Sequence, residues 1–263
     1  MSIRKIFIVS CLVFFQTISC YAQSPDEQGL EIALEADMRA SSFGDFTAVM
    51  EMVLRGKGGR ESHRTIRVKT LETDGDGDKS MTTFDSPRDV KGTALLTYTH
   101  KVGDDDQWLY LPALKRVKRI SSRNKSGSFM GSEFSFEDMG SLEVEKYTYT
   151  YLGTEALNGK ECFVLERYPV DKGNSGYSRM VSWLDKMEYR VWKEDYYNKR
   201  NKLFKTLVLS DYRLYLDKYW MAHTMKMVNH QNGKETDLNW SNFNFRTGLD
   251  NSDFNQNSLK RAK

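Results

Sequence analysis

The sequence predicts a mainly β chain: one large, curved antiparallel sheet of about eleven short strands behind a single N-terminal helix. Three observations carry that expectation. From Phe46 to Phe245 apolar residues alternate with polar ones at a period of two, as half-buried strands require. Turn pairs such as Asn158-Gly159 and Asn232-Gly233 separate the runs at hairpin spacing. No helical period recurs between strands, which excludes βαβ units and a parallel sheet. With only four prolines and no Ser/Gly-rich linker, residues 23–263 form one domain.

Residues 1–22 read as a secretory signal peptide. Arg4 and Lys5 are the charged start, and Ile6 to Phe15 is a ten-residue apolar stretch. Cys20-Tyr21-Ala22 then places small residues before a cleavage point at Gln23. Ten residues fall short of the roughly 20 that a membrane span needs. Lipidation at Cys20 is the weaker alternative, because Thr17-Ile18-Ser19 lacks the usual Leu. The expected location is therefore the periplasm. Removing 1–22 from 263 residues leaves 241 and takes two positive charges away, so the net charge falls from +3 to +1. That balance excludes general nucleic-acid binding. Only Cys162 survives processing, so no intrachain disulfide forms; its place in Glu161-Cys-Phe-Val-Leu-Glu166 marks a core residue rather than a nucleophile.

The elements follow in order. Ser24-Pro25-Asp26-Glu27 starts a helix with a cap, a proline at its first position and a capping acid. Leu30, Ala33, Leu34 and Met38 give that helix its apolar face. After Gly44 the period switches to two, with Phe46, Ala48, Met50, Met52 and Leu54 on one face. Further runs begin at Ile66, Met81, Leu95, Gln107, Val117, Tyr147, Phe163, Met180, Tyr189, Leu203, Tyr219 and Glu235. A sheet of this size curls, and something must fill its hollow. The Leu30–Met38 helix and the Phe129–Met139 segment are the candidates.

Chemistry-bearing motifs are scarce. Asp74, Asp76 and Asp78 imitate half a calcium loop, but Lys79 stands where glycine is needed and Asp85 where a bidentate Glu is needed. His63, His100, His223 and His230 are scattered, and no metalloprotease, nucleophile-elbow or phosphate-loop motif occurs. No cofactor, metal or catalytic residue is expected. Lys115, Arg116, Lys118, Arg119, Arg123 and Lys125 are different: they concentrate six charges in eleven residues without an acid. Such a run reads either as a solvated strand or as a docking surface for anionic lipid or an acidic partner. The Met-rich strands, including Met50, Met52, Met221, Met225 and Met227, suit a core or an adaptable cavity wall.

One block carries a resemblance. Trp108-Leu-Tyr-Leu-Pro112, Lys115 to Ile120 and Phe129-Met-Gly-Ser-Glu-Phe-Ser-Phe-Glu-Asp138, with Gly29-x-Glu-Ile32 and Asp45 before them, resemble the LolA-like outer-membrane lipoprotein-sorting family, in its larger, divergent branch. The resemblance spans the mature chain and is most specific over 106–138. It implies an open half-barrel with short lid helices over an apolar cavity, and a periplasmic carrier of lipoprotein acyl chains or another lipid. An inner-membrane exporter, an outer-membrane acceptor and peripheral membrane contact are the partners implied. The family's latch arginine matches no position here. Trp108, Tyr110, Leu111, Phe129, Met130, Phe134, Phe136, Met50 and Met52 are the expected lipid-binding residues. Lys115, Arg116, Lys118 and Arg119 are the expected docking residues. The competing expectations are a periplasmic sensor of the same architecture, an accessory factor of an envelope exporter, and an envelope hydrolase.

Overall fold

The computed structural model describes residues 23–261, so the expected leader and Cys20 lie outside the described residues. Helix α1 runs Pro25–Ala40. Ser24 Oγ accepts from the Glu27 N–H at 3.2 Å, and the Glu27 carboxylate accepts from the Ser24 N–H at 2.8 Å. Two donors that a helix start leaves unpaired are thereby satisfied. The strands are β1 (Asp45–Arg55), β2 (Glu61–Leu71), β3 (Lys79–Ser86), β4 (Ala94–Tyr98), β5 (Asp106–Leu111), β6 (Arg116–Ile120), β7 (Tyr147–Leu157), β8 (Lys160–Pro169), β9 (Tyr177–Asp185), β10 (Val191–Asn198), β11 (Leu203–Tyr215), β12 (Tyr219–Asn229) and β13 (Glu235–Phe245). Helix α2 (Gln256–Arg261) closes the described chain. Each alternating run forms its own strand, so the sheet has 13 strands rather than about eleven.

The order across the sheet is β6-β5-β4-β3-β2-β1-β13-β12-β11-β10-β9-β8-β7. Pairing of β1 with β13 joins two antiparallel meanders, and β6 and β7 remain as the two edges of an open sheet. The sheet curls: α1 touches β7 and β8 and also reaches β12, several strands away. A helix meets both places only if the strands between wrap around it.

At one end of the strands, against both meanders, sits the segment between β6 and β7. Phe129 N donates to Phe134 O at 2.7 Å, forming a small loop whose rings enter the sheet. Phe129, fully buried, stands 5.8 Å from Phe84 and 5.5 Å from Phe136, ring centre to ring centre. Burying each such ring contributes roughly 1.5–3 kcal/mol. Polar ties hold the segment in place. Glu133 N donates to Thr236 Oγ1 at 3.0 Å, Gly176 N donates to Glu137 Oε2 at 2.7 Å, and Tyr177 donates its hydroxyl to Asp138 at 2.9 Å. The Phe-Ser-Phe-Glu-Asp motif thus supplies both the filling and its anchors.

Helix α1 turns a different face inward from the one its spacing predicts. Gly29, Ile32 and Ala33 are buried, whereas Leu30, Leu34 and Met38 are 44%, 50% and 58% exposed. Gly29 is the reason. A Cβ there would lie 2.9 Å from the backbone nitrogens of Thr150 and Tyr151, so only glycine lets the helix approach β7 this closely. The outer face of β3 to β5 is covered by the C-terminal tail, where Phe254 and Leu259 are fully buried.

Candidate functional site

The other end of the strands is not filled in this way. Between α1, the β2–β3 turn, residues 141–144 and the inner face of the sheet lies a cavity of about 870 Å³. Ala33 and Ala36 of α1 form its roof, and Leu165, Leu184, Leu209, Met225 and Phe243 are among its apolar walls. Leu142, 49% exposed, stands among the residues that line it. Ala33, Ala36 and Ala40 are the apolar side chains that α1 gives to the lining, with Asp37 and Arg39 beside them.

Charges interrupt the wall at two places. On β8 and β10, Arg167 and Glu194 form a buried two-point ion pair, at 2.6 and 2.8 Å. Ser182 Oγ donates to Glu194 at 2.6 Å and accepts from Arg167 at 2.9 Å. Burial alone would raise the Glu194 carboxyl, but the charge and hydrogen bonds of Arg167 hold it below its ordinary value. Removing either partner leaves a lone buried charge, which costs about 3–5 kcal/mol. At the β2–β3 turn, Asp37, Glu72, Asp78 and Glu143 converge on the cavity rim with Lys101. Burial first, then Glu72, Glu143 and Asp37, push the Asp78 carboxyl up to about 7, with Lys101 opposing. Neighbouring Asp76 behaves oppositely: hydrogen bonds from His100 and from the Lys101 and Gly77 backbone lower it to about 2.

None of the nine expected lipid-binding residues lines this cavity. Met50, Met52, Phe129 and Phe134 are buried in the solid core that both meanders share, with Leu111, Met130 and Phe136 packed at its border. Trp108 and Tyr110 belong to the opposite face, against Phe254 and Leu259. The alternation of β5 explains the split: Leu109 and Leu111 point inward, so Trp108 and Tyr110 cannot. The basic run divides likewise. Lys115 occupies the turn, Arg116 and Lys118 are exposed on the edge strand β6, Arg119 is paired with Asp106, and Lys125 is buried near Asp105 at 3.8 Å. It is therefore no single six-charge patch, and cations on an exposed edge also discourage strand addition.

Reading the sequence missed Tyr149, Arg167 and Glu194. A signal existed: Arg167 follows Phe163 and Leu165 at inward parity, and Glu194 precedes Tyr196 in the same way. Of the Met-rich strands, Met50, Met52 and Met227 are core, while Met221 and Met225 line the cavity. Cys162 is buried and unpaired, as expected. The histidines make local bonds, to Glu51, Asp76, Tyr215 and Thr206 respectively. Among the described residues no group of three or more His, Cys, Asp or Glu is placed to hold a metal ion, and no helix is long and apolar enough to cross a membrane.

Known proteins share this architecture. A family model described as "Uncharacterized protein" matches residues 76–261. A domain from Vibrio parahaemolyticus, described as an outer membrane lipoprotein-sorting protein, is 57% identical, with 90% of this chain and 100% of that one covered at a TM-score of 0.88. A DUF1329 family protein from Desulfovibrio piger is 33% identical over 90% of this chain and 100% of that one, at a TM-score of 0.85. A LolA superfamily protein from Nitrosomonas europaea shares the fold at 18% identity, covering 88% of this chain and 98% of that one, with a TM-score of 0.71. No curated protein matches the chain.

Proposed function

The chain belongs to the LolA-like outer-membrane lipoprotein-sorting family, and from that premise we propose that it is a periplasmic carrier that shields acyl chains of lipoproteins, or of another lipid, on their way to the outer membrane. The observation that carries this reading is the cavity itself. About 870 Å³ of largely apolar space is left under a helix with a small-residue underside. That volume falls in the range of roughly 300–1,000 Å³ typical of small-molecule sites. Each methylene group taken from water into it gains roughly 0.8 kcal/mol, so a long chain binds without chemistry. No catalytic group is needed, and the function proposed is binding rather than catalysis.

In this reading the aromatic segment 129–138 is a fixed wall rather than a moving lid, since the Glu133 backbone is tied to β13 and the Glu137 and Asp138 carboxylates to Gly176 and Tyr177 at the start of β9. Helix α1 is the movable cover. Lys115, Arg116 and Lys118 meet the membrane or a protein donor, each worth about 1 kcal/mol near an anionic surface. An inner-membrane exporter would supply the cargo and an outer-membrane acceptor would receive it. The test is native mass spectrometry of the protein purified from its own periplasm, joined to uptake of N-phenyl-1-naphthylamine. A co-purifying lipid and saturable dye binding are expected; protein that is repeatedly ligand-free and takes up no dye rules the carrier out.

A further inference from the structure

We infer that the end of the sheet opposite the cavity is a docking face for an anionic phospholipid surface, built from three neighbouring hairpin turns. The inference extends the docking part of the carrier reading and does not depend on what the cavity holds. Register places the turns. Arg55 pairs with Glu235, Val228 with Glu235, and Lys205 with Asn229, so β1–β2, β12–β13 and β10–β11 all turn at one end. Contacts join them: a Cβ on Gly233 would lie 3.8 Å from Lys57 Cγ, and the His230 N–H donates to Phe204 O at 2.9 Å. Residues 56–60, 199–202 and 230–234 hold Lys57, Arg60, Lys199, Arg200, Lys202 and Lys234, all exposed, and no acid. Only folding gathers these six, since the turns lie far apart along the chain.

Their charges are unspent. Among the described residues none of the six forms an ion pair, and only Lys199 makes side-chain hydrogen bonds, to the carbonyls of Lys172 and Tyr177 at 2.7 and 3.2 Å. The acids that flank the turns, Glu61 and Glu235, are paired with Arg55 and Lys226, each at 2.7 Å. The β3–β4 turn continues the sign, with Arg88 and Lys91 against Asp89. At the other end the sign reverses. The β2–β3 turn carries Glu72, Asp74, Asp76 and Asp78 without a base, and the cavity opens there, among the β2–β3, β9–β10 and β11–β12 turns. Such polarity turns a molecule cationic end first toward a negative surface. The cations stand on separate turns rather than along one strand, and Leu203, 40% exposed, lies beside Lys202. Headgroup phosphates suit that spread, because they offer charge everywhere and require no register. Docked in this way, the protein holds its cavity mouth away from the bilayer.

Co-sedimentation with phosphatidylcholine vesicles, with and without about one-third phosphatidylglycerol, tests this. At about 50 mM NaCl the protein should bind the anionic vesicles and not the neutral ones, and about 500 mM NaCl should release it, because screening then acts within about 4 Å. Each cation near such a surface is worth about fivefold in affinity, so Lys57→Gln with Lys234→Gln should weaken binding roughly 25-fold. Arg200→Gln with Lys202→Gln should repeat that loss and serves if the first pair misfolds. A charge-matched control at the opposite end, Lys160→Gln with Lys186→Gln, should change binding by less than about twofold. No binding to anionic vesicles at low salt would hand these cations to an acidic protein and overturn the inference. Equal binding to neutral vesicles, equal loss in the control, or a loss that follows only Arg116→Gln with Lys118→Gln on the β6 edge would overturn it too. Uptake of N-phenyl-1-naphthylamine keeps the two readings apart: dye binding without vesicle binding removes the docking face alone, and vesicle binding without dye binding removes the carrier alone.

Discussion

The two halves of the inner face solve one problem in opposite ways. The curled sheet creates a hollow whose two ends, reached by the same strands, are lined by inward-facing residues. At one end of the strands, Phe129 and Phe134 descend from the 125–139 segment into a core shared by both meanders, with Phe84, Met50 and Met52 from one and Met180, Met227 and Leu238 from the other. At the other end the covering element is α1, which gives Ala33, Ala36 and Ala40 to the lining, and a cavity survives beneath it. The difference lies in the side chains on the covering element, rings in one case and alanines in the other, and in the buried Arg167–Glu194 pair on the strands beside the cavity. One half carries the stability, and the other gives up packing for space.

The strongest way to break that contrast is Phe129→Ala. A fully buried ring between Phe84 and Phe136 is lost, which should cost about 3–5 kcal/mol in urea unfolding. Dye affinity, measured below the unfolding transition, should stay within about twofold of the parent, because the ring does not line the cavity. A large loss of affinity with little loss of stability would return this segment to the role of a lid.

A finer probe uses two methionines on one strand. Met227 is fully buried in the core and pairs with Leu207 and Thr236, whereas Met225, two residues away, lines the cavity. Met227→Ala should destabilise by about 2–5 kcal/mol, and Met225→Ala by about 1 kcal/mol or less, since the space beside it is already open. Affinities should reverse that ranking: the Met225 variant alters the fit of an acyl chain and the Met227 variant does not. Equal destabilisation by the two would mean that the boundary between the solid and hollow halves is misplaced.

The strands and turns of this fold are legible in the sequence because period-two alternation reports burial directly, as at Phe46 to Leu54. The site is much less so. Parity tells that Trp108 and Leu109 face opposite ways, but not which face the covering elements will occupy, and so it does not place Trp108 and Tyr110 against Phe254 and Leu259. For α1 the apolar stripe Leu30–Leu34–Met38 misleads, since a close approach at Gly29 rotates small residues inward. Close approach depends on a backbone sixscore residues away in sequence, Thr150 and Tyr151, which no local period records. The Gly29-x-Glu-Ile32 pattern held that information only as a resemblance. Similarly, Glu137 and Asp138 look like surface acids until Gly176 and Tyr177 are brought to them.

The smallest expected effect separates the halves by pH. Asp78, at the cavity rim, is held up to about 7 by burial and by Glu72, Glu143 and Asp37, while Lys101 opposes. Its folded value lies above the unfolded one, so between roughly pH 4 and 7 the folded state holds the extra proton. The stability this group contributes is full below that window and is lost as pH rises through it. Burial raises Asp37 and Glu143 in the same direction. Glu137, in the filled half, is also raised by burial, although Gly176 and Ser175 hydrogen bonds pull it back. Discounted for partial solvent access, the Asp78 contribution is on the order of 1–2 kcal/mol. Melting curves should therefore show the parent losing stability between about pH 4 and 7, and Asp78→Asn should flatten that slope more than Glu137→Gln does. A slope that survives Asp78→Asn and vanishes with Glu137→Gln would move the titrating group from the hollow half to the solid one, and the rim acids would then be ordinary solvated carboxylates.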